Sequence, residues 1–138
     1  MKNLNFETGL ETYKVNDRCD LTFNPTDAAF VERLYKTFEA LDQEQSAYAD
    51  GAKSAENVLT FARQRDAAMR GRIDDLFGAG TADAIFGDLS TFGIADGLPL
   101  WANFLLAVLD EVAEACARAQ KEENPRIKKY LEKYKVAK

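Results

Sequence analysis

Histidine is missing altogether from this chain of 138 residues. Its absence removes histidine-based catalytic triads, the commonest general base, and almost every imidazole-bearing metal site. A catalyst built from carboxylates and lysines alone stays conceivable, but no motif in the chain indicates one. Cysteine is scarce: Cys19 and Cys116 are the only two, and neither belongs to a C-x-x-C pair. Two buried free thiols are the expectation in a reducing compartment. No apolar run approaches the ~20 residues needed to cross a bilayer. The longest, "LPLWANFLLAVL" from Leu98 to Leu109, is interrupted by Pro99 and Asn103 and leads into Asp110 and Glu111. The opening "MKNLNFETGLETY" has neither an apolar signal-peptide core nor a small-residue cleavage site. The chain therefore reads as cytosolic, without a membrane partner, a metal or a cofactor.

What is present is a globular composition, 46% hydrophobic and 30% charged, unlike that of a disordered chain. The length fits one domain with a real core. A single domain over 1–138 is expected, divided into a hairpin over 11–23, a helical core over 24–123 and a basic helix or tail over 124–138. The net charge of −5 conceals an asymmetry. Residues 1–125 carry 12 basic and 22 acidic side chains, whereas "RIKKYLEKYKVAK" at 126–138 carries six basic side chains and only Glu132. An acidic body with a basic end repels nucleic acid overall while offering one local patch for anions.

The expected fold is mainly α with some β: an N-terminal hairpin followed by an orthogonal bundle of about four to five helices. In "TYKVN" Tyr13 and Val15 alternate with polar neighbours, and in "CDLTF" Cys19, Leu21 and Phe23 do the same. That period of two, with "NDR" as turn chemistry between, predicts two half-buried strands. "NPTD" at 24–27 reads as a helix start, with Asn24 or Thr26 as cap, Pro25 in the first turn and Asp27 complementing the dipole. Phe30, Leu34, Phe38 and Leu41 then recur at helical spacing, widened by Val31 and Tyr35, and the helix should reach about residue 43. Ser54 and Glu56 open a second helix with the stripe Val58, Phe61, Ala62, Met69, Ile73 and Leu76, bordered by the stems of Arg65 and Arg72. The widest stripe follows: Leu98, Trp101, Leu105, Val108, Leu109, Val112 and Cys116. "ENPR" ends it, and a last short helix is expected with Ile127, Leu131 and Tyr134 on one side.

"DDLFGAGTADAIFGDLSTFG" (74–93) is the segment that most invites a ligand. A dinucleotide fingerprint needs a third glycine where Asp83 stands, and a P-loop needs a lysine after Gly80 where Thr81 stands. Asp74, Asp75, Asp83 and Asp88 would repel phosphate. The glycines read instead as a hinge: Gly78 stops one helix, Thr81 caps a short one, Gly87 ends it, and Leu76, Phe77, Ile85 and Phe86 pack across the corner. The acidic pairs Asp74-Asp75 and Asp110-Glu111 point about 100° apart on a helix and do not converge. Lys128, Lys129, Lys133 and Lys135, interleaved with Tyr130 and Tyr134, resemble a nucleic-acid patch in composition only, because the body is acidic.

The arrangement resembles a family of small phage and prophage proteins of Gram-positive bacteria, encoded among tail genes and labelled tail-assembly-chaperone-like. The resemblance rests on "YKVNDRCDLTFNPTD", "IDDLFGAGTADAIFGD" and "LWANFLLAVLDEVAEA", and spans about residues 11–120. It implies a non-enzymatic assembly role in the host cytoplasm, holding a helical tail protein such as the tape measure, and supplies no catalytic residues. The basic end after Pro125 is not part of that pattern. A structural tail or connector component of the virion, and a prophage regulator using the basic end, are the other readings. Residues expected to meet a protein partner, or a second copy, are Trp101, Phe104, Leu105, Leu106 and Phe86, with Lys128 and Lys129 from the basic end.

Overall fold

The computed structural model describes residues 1–48, 55–121 and 126. Strand β1 (Glu11–Val15) pairs antiparallel with β2 (Cys19–Phe23), in a register that sets Tyr13 opposite Leu21 and Val15 opposite Cys19. The turn closes through Arg18 N–H donating to the Val15 carbonyl at 2.9 Å. Asn16 and Asp17 take φ of 48° and 59°, a left-handed conformation that Asn and Asp tolerate better than other side chains. The predicted hairpin is thus present, and four helices follow it among the described residues: α1 (Ala28–Tyr48), α2 (Ala55–Phe77), α3 (Thr81–Phe86) and α4 (Leu100–Lys121). α1 runs past its expected end near residue 43 to Tyr48. The Ser54 helix start and the final helix around Ile127, Leu131 and Tyr134 fall outside the described residues.

Helix starts differ from the sequence-based expectation in who does the capping. Asn24 folds its side chain onto its own turn, accepting from Thr26 N–H at 3.2 Å, and α1 begins only at Ala28. Its cap is Asp27, which accepts from Ala29 N–H at 3.1 Å. At α3, Thr81 lies inside the helix and turns its hydroxyl back to the Gly78 carbonyl at 2.7 Å. Asp74, from the last turn of α2, accepts from Gly80 N–H at 3.3 Å and from Ala82 N–H at 2.9 Å. The carboxylate before the hinge therefore caps the helix after it, neutralising orphan donors and the dipole together.

One cluster forms the core. It joins Leu21 and Phe23 of β2, Phe30, Leu34 and Leu41 of α1, Met69 and Ile73 of α2, Ile85 and Phe86 of α3, and Trp101, Leu105, Val108 and Val112 of α4. Each fully buried side chain of this size contributes about 1.5–3 kcal/mol. Several expected core positions lie outside it. Val58 and Ala62, in the N-terminal half of α2, are exposed, as is Tyr35 on α1. Helical spacing defines a face, but burial needs a neighbour there, and the core contacts of α2 sit in its C-terminal half. Cys19 and Cys116 are free thiols, half-buried instead of buried.

The connection between α3 and α4 holds a two-residue pairing of β3 (Ile94–Ala95) with β4 (Leu98–Pro99). Asp96 and Gly97 make its turn with φ of 55° and 75°. Leu98 thereby leaves the α4 stripe and joins β4, and Asn103 ties the hairpin down by donating to the Ala95 carbonyl at 2.9 Å.

The connection from α3 to α4 is fastened to α2 by one ion pair with several extra arms. Asp66 accepts from both the N–H and the hydroxyl of Thr91, each at 2.7 Å. Arg70, one turn on, donates Nε to Asp66 at 3.0 Å, Nη1 to Asp83 at 2.9 Å, and Nη2 to the carbonyls of Gly87 at 3.0 Å and Leu89 at 2.6 Å. Thr91 is fully buried and its carbonyl receives Trp101 N–H at 2.9 Å, in the first turn of α4. Partial burial would raise the Asp66 carboxyl, but the two Thr91 bonds and the Arg70 guanidinium outweigh it and hold the group below the usual carboxylate range.

Two outcomes follow from this geometry. A carboxylate whose pKa is depressed by folding stabilises the fold fully above its unfolded value, ~3.9, and loses that contribution as pH falls through the folded value. Asp66→Asn should therefore cost roughly 2–3 kcal/mol at neutral pH, and the gap to the native chain should narrow below about pH 4 in urea titrations. Gly78, at φ 117°, sits where a β-branched residue is strained. Gly78→Val should lower stability by roughly 1–3 kcal/mol, read as a fall in the urea midpoint at unchanged slope.

Candidate functional site

Helix α4 presents two adjoining faces. Trp101, Leu105, Val108 and Val112 point into the core, while Phe104, Ala107, Val108 and Glu111 recur at i, i+3, i+4 and i+7 on the side nearest the hairpin. Between that second face and β1 runs an open groove of about 200 Å³. One wall is Tyr13, Lys14, Val15 and Asn16, the other is Phe104, Ala107 and Glu111, and Leu21, Phe23 and Val108 complete the lining. Three consecutive strand residues and the turn residue Asn16 along one wall place the groove at a strand edge, since alternate side chains point to opposite faces.

The groove is lined by the outer members of a continuous aromatic chain. Tyr13 stacks on Phe23 with ring centres 4.7 Å apart, and Phe23 stacks on Phe30 at 5.3 Å. Phe77 meets Phe23 at 5.9 Å and Phe30 at 5.6 Å edge-on, and then Phe104 at 5.5 Å. Phe104 also meets Phe86 edge-on at 6.0 Å. Such pairs contribute ~0.5–1.5 kcal/mol beyond the area they bury, so the lining is rigid on the hairpin side as well as on α4.

Charge sits at the rim. Tyr13 donates its hydroxyl to Glu11 at 2.6 Å. Burial, the Glu11 carboxylate and the nearby Glu111 charge hold the Tyr13 phenol well above its ordinary range, against the opposing Arg118 cation. A second hollow of about 210 Å³ lies at the other end of β1, between Gly9, Glu11, Pro25 and Thr26 on one side and Ala115, Arg118 and Ala119 on α4.

The expected partner-contacting residues divide sharply. Trp101, Leu105 and Phe86 are 2%, 0% and 5% exposed, so the structure withdraws them from any docking surface and gives them to the core. Trp101 packs edge-on against Phe38 at 6.0 Å, and its indole N–H has no acceptor among the described residues. Phe104 and Leu106 are half-buried; Phe104 lines the groove, while Leu106 does not. Lys128 and Lys129 lie outside the described residues. Of the acidic pairs, Asp74 is spent on the α3 cap, Asp75 and Asp110 are exposed, and Glu111 stands on the groove wall.

The groove was only partly foreseeable. Alternation in "TYKVN" and "CDLTF" marks Tyr13 and Phe23 as half-buried, but the pairing of β1 with α4 across 90 residues leaves no local trace. Ala107 carries no signal at all, being a small residue where the groove needs room.

Fold and groove together define a small α+β domain with an apolar cleft at a strand edge. The chain belongs to a family of unknown function, DUF6673, whose profile matches residues 17–138. The match begins in the hairpin turn, so residues 1–10 and β1 precede it. No curated protein matches the chain, and no solved structure does. Among the described residues no helix is long and apolar enough to cross a membrane.

The two half-buried positions should separate in a stability assay. Phe104→Ala removes a ring that meets both Phe77 and Phe86 and should cost ~2–3 kcal/mol, below the range for a fully buried Phe. Leu106→Asp, outside the core cluster, should stay within about 1 kcal/mol of the native chain in the same denaturant titration.

Proposed function

We propose that this chain is a non-enzymatic phage or prophage assembly protein that holds a polypeptide segment of a tail protein, such as the tape measure, in the host cytoplasm. The tail-assembly assignment rests on the sequence resemblance over residues 11–120. The observation that carries the binding mode is the open groove between β1 and α4. At about 200 Å³ it is smaller than the ~300–1,000 Å³ of typical small-molecule sites. Its size suits two or three apolar side chains of a docked chain. Its floor is aromatic and aliphatic, its rim carries Lys14 and Glu111, and its strand edge offers backbone groups to a bound segment.

Ala107 gives the cleanest test, because it lines the groove yet is exposed and outside the core cluster. Co-expression with the proteins encoded alongside it, the tape measure first, should yield a complex that survives purification. Ala107→Arg should fold normally and lower the affinity at least tenfold. Retention of full affinity by that variant would move the binding site elsewhere, and failure of every tail protein to co-purify would remove the assembly role.

A further inference from the structure

The first ten residues have no covering surface of their own. Leu4 is 89% exposed, Phe6 75% and Leu10 60%, an unusual display for three large apolar side chains in so short a segment. The segment is anchored at one point, where Asn24 Nδ2 donates to the Thr8 carbonyl at 2.6 Å. Asn24 follows β2, so this bond holds the base of the arm at the end of the hairpin, beside β2. None of the ten arm residues lines the groove of its own chain.

From this we infer that the N-terminal arm of a second copy of the chain occupies the groove, with Phe6 and Leu4 on its apolar floor and Lys2 against Glu111. Three observations converge on that occupant. In an extended segment alternate residues share a face, so Lys2, Leu4 and Phe6 line up on one side while Asn3, Asn5 and Glu7 take the other. The groove offers the matching chemistry, apolar at Tyr13, Phe23 and Phe104 with the Glu111 carboxylate on the wall opposite Lys14. Among the described residues β1 has β2 as its only strand partner, so its second edge is open to an added strand. Eight extended residues reach at most ~26–29 Å, most of the ~33 Å length of α4. Arm and groove are different surfaces, so reciprocal exchange closes a two-fold dimer and one-way exchange builds a chain of subunits.

The inference rests on the reading that this groove binds polypeptide, and it adds that a second copy fills it until a tail protein displaces the arm. Light scattering on the full chain over a concentration series reads it directly. The native chain should show at least twice the mass of one subunit. Leu4→Asp with Phe6→Asp, at exposed positions that cannot disturb folding, should return it to a single subunit, and so should Ala107→Arg. Mixing the two variants should restore a dimer, because the intact arm of one meets the intact groove of the other. A native chain of single-subunit mass at all concentrations, or an arm variant that keeps the native mass, would overturn the inference. So would a dimer lost with the arm variant but kept with Ala107→Arg, since the arm would then dock elsewhere. Tail-protein binding is scored separately on the same proteins. The arm variant should retain it or gain, whereas Ala107→Arg should lose it, so a monomeric native chain that still binds at the groove would end the arm-exchange inference alone.

Discussion

The guanidinium of Arg70 is the constraint on which the rest of the molecule depends. The short β3–β4 hairpin places no residue in the core cluster, yet it must deliver α4 at a fixed position against the N-terminal hairpin. Arg70 reaches the Asp83 side chain and the carbonyls of Gly87 and Leu89, while its partner Asp66 holds Thr91. One turn of α2 thus collects backbone that would otherwise lack partners in a half-buried place, where each unmade bond would cost ~1–3 kcal/mol. A lysine could supply charge but not a planar fork aimed at three separate acceptors.

The aromatic chain performs the corresponding task on the other side. Two strands alone are marginal in water, and here the hairpin is held by Phe23 inserted between Tyr13, Phe30 and Phe77. Because Phe77 continues to Phe104, the strand and α4 are braced through a common set of rings without closing over one another. The groove is the space left between them. It exists because Ala107 is small and because Glu11 accepts from the Tyr13 hydroxyl and keeps it at the rim.

Local pattern made the elements legible and long-range geometry hid the site. Period two in residues 13–23 gives the hairpin, and the stripe from Trp101 to Cys116 gives α4 and most of its buried face. The hinge at Gly78 and Gly87 is likewise visible from composition. Capping was misassigned at two helices because Asp27 and Asp74 lie near better-known Ser/Thr/Asn candidates, and only three-dimensional proximity decides which oxygen wins. The Asp-Gly pair at 96–97 is a strong turn signal, overlooked because the flanking strands are only two residues long. Asp66 and Arg70, spaced i, i+4, look like an ordinary surface pair until Thr91 arrives from 25 residues away. The exposure of Val58 and Leu59 shows the converse, apolar helical positions without a covering neighbour among the described residues.

Gly87 is where these two halves meet. Its φ of 55° suits glycine, and the space a β-carbon would fill is taken by the guanidinium of Arg18, from the turn of the N-terminal hairpin. Its carbonyl is held by Arg70, and Arg18 also reaches the Ala84 carbonyl at 3.4 Å. Two arginines, one near the start of the chain and one in its middle, thereby close on a single residue that has no side chain. The hairpin turn and the α3–α4 connection cannot loosen independently, since opening either one disturbs the packing around the same residue. Local openings commonly follow supersecondary boundaries; here the boundary is bridged, so amide protons of the hairpin and of α3 should exchange as one cooperative unit.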